Sequence, residues 1–231
     1  MQADDLIGDL VDADVLVAGE GETFSLSERF ADEREAARRR YESAEETERA
    51  GLLADPLGME AVPAALERVL DAPAVLADYE TVAAFLPGLE HAGRVGVLNV
   101  LGTLRRGSPP DEGAPAAFLP VHGDRLPALV RLQRAAVVYV WREDCDPCDL
   151  VREDFDELFD DRPPEDLMLY AVYGPDWVEE LYEAFDVAGA PTTLFVKDGK
   201  VDARFLGAHT RSALENEVGI LREHSEGRAA K

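Results

Sequence analysis

Cys145 and Cys148 are the only cysteines in this 231-residue chain, and Asp146 and Pro147 separate them. Side chains at i and i+3 on one helical turn lie about 5–6 Å apart. A disulfide requires a Cα separation of roughly 4.4–6.8 Å. The two thiols therefore suit one local disulfide, and no other cysteine competes for either. The same spacing also suits half of a zinc site. His91, His122, His209 and His224 show no ligand spacing that would supply the other half. Within one chain the expectation is no metal and no cofactor; a metal-bridged dimer, with one pair from each subunit, stays open.

The elements that must hold this pair follow from the pattern around it. Ala136–Trp141 is a short β-branched and aromatic run, consistent with a buried strand. Leu150, Val151, Phe155, Leu158 and Phe159 then recur at helical spacing. Cys145 thus falls where a strand ends and a helix begins, facing unsatisfied backbone N–H groups and the positive end of the helix dipole. That position favours a thiolate. Pro147 suits the first helical turn, where a missing N–H costs nothing. Glu143, Asp144, Asp146 and Asp149 oppose the effect. A helix N-terminus contributes about 0.3–1 kcal/mol at an exposed site. One carboxylate about 7 Å away costs about 1 kcal/mol at an effective dielectric near 40. Several carboxylates therefore win in dilute buffer, and multimolar salt screens them. The expectation is a weakly activated thiolate at low salt, a more reactive one at high salt, and a reducing couple.

The rest of the domain repeats the alternation. Leu167–Tyr173 reads as a second strand. Trp177, Val178, Leu181, Tyr182 and Phe185 read as one face of a helix. Thr192–Val196 and Val201–Phe205 flank the turn Lys197-Asp198-Gly199-Lys200, a hairpin signal. Leu214, Val218 and Leu221 mark a last helix. Helices between strands imply parallel neighbours and the hairpin adds antiparallel ones, so the fold class is α/β with a mixed sheet between helices.

Before this comes a mainly helical region, residues 1–106. Asp14–Ala18 and Thr23–Leu26 flank Gly19-Glu20-Gly21 as a possible hairpin. Ser27 reads as the N-cap of one long charged helix to about Leu53, ended by Asp55-Pro56 and Gly58. Further helices are expected over Glu60–Leu70, Ala74–Phe85 and Glu90–Arg105. The apolar positions of Phe24–Phe30 and Val95–Leu104 read as core of this region, with a partner-binding groove as the other reading. Gly107–Pro115, rich in proline, glycine and acids, reads as a linker, giving a boundary at 107–117 and a second domain over 118–231.

Composition bounds the partners. Asp and Glu total 48 against 23 Lys and Arg, a formal net charge of −25, and the only lysines are Lys197, Lys200 and Lys231. Self-repulsion of that size destabilises a compact state at low salt, and about 1 M salt shortens the Debye length to about 3 Å. The acids are spread along the chain, which reads as a protein adapted to a salt-rich cytoplasm. Arg38, Arg39 and Arg40 sit among glutamates as a solvated helix face, and no basic footprint for nucleic acid exists. The start Met1-Gln2-Ala3-Asp4-Asp5 is acidic where a secretory leader is basic. Val95–Leu104, the longest apolar stretch, is too short to span a bilayer. Gly19-x-Gly21 lacks the third glycine of a dinucleotide site. The expectation is therefore a cytoplasmic protein without nucleic-acid or membrane partners. In that compartment a close cysteine pair is more often catalytic or metal-binding than a staple.

Residues from about 118 to 224 resemble the thioredoxin fold. The resemblance is carried by Val140-Trp141, by Cys145-Asp146-Pro147-Cys148 opening a helix and by Gly189-Ala190-Pro191-Thr192 starting a strand. The Asp-Gly hairpin and Gly207 before the last helix complete it. It implies that Cys145 is an exposed nucleophile attacking a substrate disulfide and that Cys148 resolves the mixed disulfide. It implies a cis bond before Pro191, with Ala190 offering backbone groups to an extended substrate and Trp141 packing beneath the site. Three positions depart from the family. Asp144 stands where thioredoxins carry Trp, and Tyr139 stands where a buried aspartate assists proton transfer. Acids, including Asp149, surround the thiols where a basic residue often follows the second cysteine. The implied activity is dithiol–disulfide exchange with a protein or small-molecule disulfide, regenerated by an unidentified electron donor. The rival reading is a non-catalytic scaffold whose cysteines sense redox state. The N-terminal region resembles no recognised family, and neither its role nor the oligomeric state follows from the sequence.

Overall fold

The computed structural model describes residues 3–19, 23–59, 62–160, 164 and 167–226. The chain divides into two compact units, Met1–Arg106 and Gly107–Lys231.

The first unit is built of helices and one small hairpin. α1 (Ala3–Asp12) leads to β1 (Leu16–Ala18), which pairs antiparallel with β2 (Phe24–Leu26). The expected turn residues Glu20 and Gly21 lie outside the described residues. The single long helix expected after Ser27 is two: α2 (Glu28–Ser43) and α3 (Glu46–Leu57). Ala44 and Glu45 are extended. Arg49 supplies a physical reason for the break. Its guanidinium donates to the carbonyls of Tyr41 (2.9 Å) and Leu70 (2.7 Å), satisfying a backbone acceptor that a helix end leaves open. Ser27 caps α2 by accepting from the Phe30 N–H at 3.0 Å, and Gly58 ends α3 in the left-handed region at φ 63°. α4 (Ala64–Glu67) is one turn, far shorter than the Glu60–Leu70 helix expected, whose first residue lies outside the described residues. α5 (Pro73–Phe85) and α6 (His91–Arg106) complete the unit.

α2 packs on α5 through Phe30, Ala37 and Tyr41 against Leu76, Tyr79 and Val82, with the Phe30 and Phe85 rings edge-to-face at 5.1 Å. Polar contacts run through the same interface. Arg34 pairs with Asp78 at 11 % and 5 % side-chain exposure. Glu80 accepts from both Arg40 and Tyr41.

In the second unit the sheet order is β3-β5-β4-β6-β7. β3 (Leu119–Pro120) and β4 (Ala135–Trp141) both run parallel to β5 (Met168–Tyr173). β6 (Thr192–Lys197) is antiparallel to β4, and β7 (Lys200–Leu206) is antiparallel to β6. α7 (Leu126–Arg131), α8 (Asp146–Phe159), α9 (Val178–Phe185) and α10 (Arg211–Glu226) surround the sheet, and a 3-10 turn (Gly174–Trp177) precedes α9. This is a thioredoxin-like α/β fold. β4 lies at the centre with every residue buried, which explains its unbroken apolar run. β3 and α7 were not legible because one is two residues long and the other six.

One face of the sheet forms an aromatic cluster with α8 and α10: Phe118, Tyr139, Trp141, Phe155, Phe159 and Phe195, with Cys145 and Cys148 at its edge. Two apolar faces differ from their expected burial. Leu150 on α8 is 57 % exposed, and Val178 and Tyr182 on α9 are 61 % and 58 % exposed. Only Leu181 and Phe185 of the α9 set are buried.

The expected linker Gly107–Pro115 belongs to this second unit. Pro115, Ala117 and Phe118 are buried, and the Phe118 ring lies 4.8 Å from that of Phe155. The Ala116 N–H donates to Asp156 on α8 at 2.7 Å. A Cβ on Gly113 would fall 2.2 Å from the Trp141 ring, so only glycine lets the backbone approach there.

Candidate functional site

Cys145 and Cys148 form a disulfide, with sulfurs 2.06 Å and Cα atoms 5.2 Å apart. Cys145 is the N-cap residue of α8. Its carbonyl accepts from the N–H groups of Cys148 (2.8 Å) and Asp149 (3.1 Å), closing the first turn over the pair. Asp144, just before it, has φ 50°, a left-handed conformation that a short acidic side chain tolerates. This kink turns the chain from β4 into α8.

The expected exposed nucleophile is not exposed in the disulfide form. Cys145 is 5 % and Cys148 4 % accessible. Both belong to the buried aromatic cluster, and the segment before β3 stands across a cleft from them. Glu112 and Gly113 form one wall of a cleft of about 280 Å³ whose other lining residues include Trp141, Glu143, Asp144, Asp149 and both cysteines. The sulfurs lie on the floor of an acidic cleft and not on an open helix tip. Sequence reasoning missed this wall, because nothing in a proline- and glycine-rich stretch marks what it packs on.

Trp141 is 2 % exposed beneath the cleft, its ring 4.9 Å from that of Tyr173, and its indole N–H has no hydrogen-bond partner among the described residues. Asp146 and Pro147 are exposed in the first turn of α8 and are not among the cleft's lining residues. The Ala190–Pro191 peptide bond is cis. Ala190 packs against the cluster that contains both cysteines, and the Pro191 carbonyl accepts from the Gly207 N–H at 2.8 Å.

Tyr139 sits behind the disulfide on β4. Its hydroxyl donates to the Cys148 carbonyl at 2.7 Å. Burial first, and then the charge of Asp149, hold its phenol well above the ordinary range. Tyr139 is thus a neutral donor that ties β4 to the first turn of α8, and not a proton acceptor.

A second, apolar pocket of about 130 Å³ opens between β4, the 3-10 turn, α9 and the chain leading to Pro191. Arg142 and Ala190 border it, and Val140, Val178, Leu181 and Val187 are among the residues that line it. Arg142 also lines the acidic cleft and is the one cation among the lining residues of either. Its guanidinium donates to the Glu143 carbonyl at 3.3 Å. Among the described residues no group of three or more His, Cys, Asp or Glu side chains is placed to hold a metal ion, and no helix is long and apolar enough to cross a membrane.

No family model matches the chain. Among solved structures it is similar to mitochondrial thioredoxin 3 from Saccharomyces cerevisiae in its oxidised form. The identity is 19 %, over 46 % of this chain and 96 % of that one, with a TM-score of 0.40. It is also similar to a thioredoxin from Malassezia sympodialis, with 20 % identity over 39 % of this chain and 76 % of that one, and a TM-score of 0.34.

Proposed function

We propose that the second unit performs dithiol–disulfide exchange. The observation that carries this reading is the disulfide between the chain's only two cysteines, at the N-terminus of α8 on the floor of a solvent-facing cleft. In the reduced form the Cys145 thiolate attacks one sulfur of a substrate disulfide. A new S–S bond forms and the substrate's own bond breaks, and its departing thiolate takes a proton from water. Cys148, deprotonated through the cleft, then attacks the Cys145 sulfur and releases the second substrate thiol. The substrate gains two electrons and two protons, and the protein returns to the Cys145–Cys148 disulfide. An external dithiol must then reduce the pair; no cofactor enters the cycle. Trp141, Asp144, Ala190 and Pro191 border the substrate, while Asp146 and Pro147 shape the helix start. The acidic composition suits a salt-rich cytoplasm, with no nucleic-acid or membrane partner.

A second reading is a redox-sensing scaffold. It is favoured by the burial of both sulfurs and by the carboxylates around them. Reduction of insulin disulfides by the full chain in high salt, driven by dithiothreitol, separates the two. The proposal expects turnover that Cys145→Ser abolishes. Wild-type protein without turnover over the dithiothreitol background supports the scaffold.

A further inference from the structure

Arg142 stands between two clefts of opposite character. One holds the disulfide and is walled by Glu112, Glu143, Asp144 and Asp149; the other is apolar. Arg142 makes no ion pair among the described residues, although carboxylates line the cleft beside it; its guanidinium donates to the Glu143 backbone carbonyl. Arg142 lines both clefts, and Ala190 borders the apolar pocket and packs on the core cluster to which Cys145 and Cys148 belong. At about 130 Å³ the pocket is smaller than the roughly 300–1,000 Å³ of small-molecule sites and suits a single aliphatic side chain. Val178, 61 % exposed at its rim, is apolar surface left open to solvent.

We infer that the substrate is a polypeptide disulfide whose reactive cysteine is flanked by an aliphatic residue and, next to that residue, a carboxylate. The aliphatic side chain fills the Val140–Val178–Leu181–Val187 pocket and the carboxylate meets Arg142. Without such a pairing the cleft's four carboxylates repel an acidic substrate, so Arg142 converts a repelling entrance into a selective one. The inference rests on the exchange reaction proposed above and names its substrate class.

The test uses the reduced full-length chain and synthetic peptides whose single cysteine is a mixed disulfide with thionitrobenzoate, so that attack releases a coloured thiolate. The flanks are Leu-Glu, Leu-Gln, Ala-Glu and Leu-Lys, and an uncharged small disulfide serves as control. Rates are read at the lowest salt at which circular dichroism shows the chain folded, and again in multimolar salt. Wild type is expected to prefer Leu-Glu over Leu-Gln about three- to fivefold at low salt, with the preference shrinking as salt rises. It is expected to prefer Leu-Glu over Ala-Glu about tenfold. Arg142→Gln erases the Glu-over-Gln preference and keeps the Leu-over-Ala one, whereas Val178→Ser weakens the latter alone. Equal rates for all peptides, or an Arg142→Gln loss shared equally by all of them, would overturn the inference while leaving the exchange reaction standing. No reaction with any peptide or with the control would remove the exchange reaction and the inference together.

Discussion

In the N-terminal unit Arg34 and Asp78 meet inside a helix interface, and Glu80 holds Arg40 and Tyr41 beside them. In the C-terminal unit the core around the sulfurs is aromatic and aliphatic, and carboxylates stand at the rim of the cleft. One unit uses charge to join its helices, and the other keeps charge at the mouth of the cleft that holds its disulfide. A buried pair constrains geometry without adding much net stability, because desolvation offsets most of the attraction. A rim of like charge adds no stability but sets what approaches and how strongly salt matters.

The largest expected effect lies in the first unit. Asp78→Ala strands the Arg34 guanidinium and should cost about 3–5 kcal/mol in urea unfolding. Replacing both partners by Arg34→Met with Asp78→Leu should recover most of that loss. A small loss from Asp78→Ala alone would show that the pair does not organise this core. Next, Gly113→Val in the second unit would collide with the Trp141 ring and should cost about 1–3 kcal/mol. Because the wall would move off the cleft, dithiothreitol should reduce the Cys145–Cys148 disulfide faster in this variant. An unchanged reduction rate would mean that the wall does not shield the sulfurs.

Tyr139→Phe removes the bond to the Cys148 carbonyl and should cost about 0.5–1.5 kcal/mol. It also sharpens a pH comparison. Burial raises the phenols of Tyr41 in the first unit and Tyr139 in the second above their ordinary 10.0. Their contribution is fully present below that value. It is lost as pH climbs from there toward the folded values, because the unfolded chain releases phenol protons that the folded chain keeps. Unfolding free energy should therefore fall above that pH, and Tyr41→Phe and Tyr139→Phe should each flatten the fall. The smallest effect is electrostatic. The alkylation rate of reduced Cys145 should rise a few-fold from low to multimolar salt, after correction for folding, as the rim carboxylates are screened.

The two units also differ in how much of them the sequence discloses. Two cysteines pair in only one way, so Cys145 and Cys148 name their own partner. The ion pairs cannot be found that way: 23 cations and 48 acids offer far too many combinations for Arg34 and Asp78 to stand out. Strand β4 was legible because burial on both faces leaves a continuous apolar run, and the β6–β7 hairpin because Asp198-Gly199 marks its turn. The break between α2 and α3 was not, since it depends on Arg49 reaching back to the Tyr41 carbonyl. The exposure of Val178 and Tyr182 was hidden as well. Helical spacing shows that residues share a face, but not how wide a stripe the sheet covers. The cleft wall at Glu112 and Gly113 depends on a contact with Trp141, 28 positions away in sequence, and left no local signal. Arg142 carried no local signal either, since its place between two clefts required the fold.

The most direct test of the central claim is intact-mass analysis of two single-cysteine variants after exposure to a peptide disulfide. Cys148→Ser should accumulate a stable adduct on Cys145, while Cys145→Ser should form one far more slowly or not at all. Equal adduct formation by the two variants, or none by Cys148→Ser, would contradict the assignment of Cys145 as the attacking sulfur.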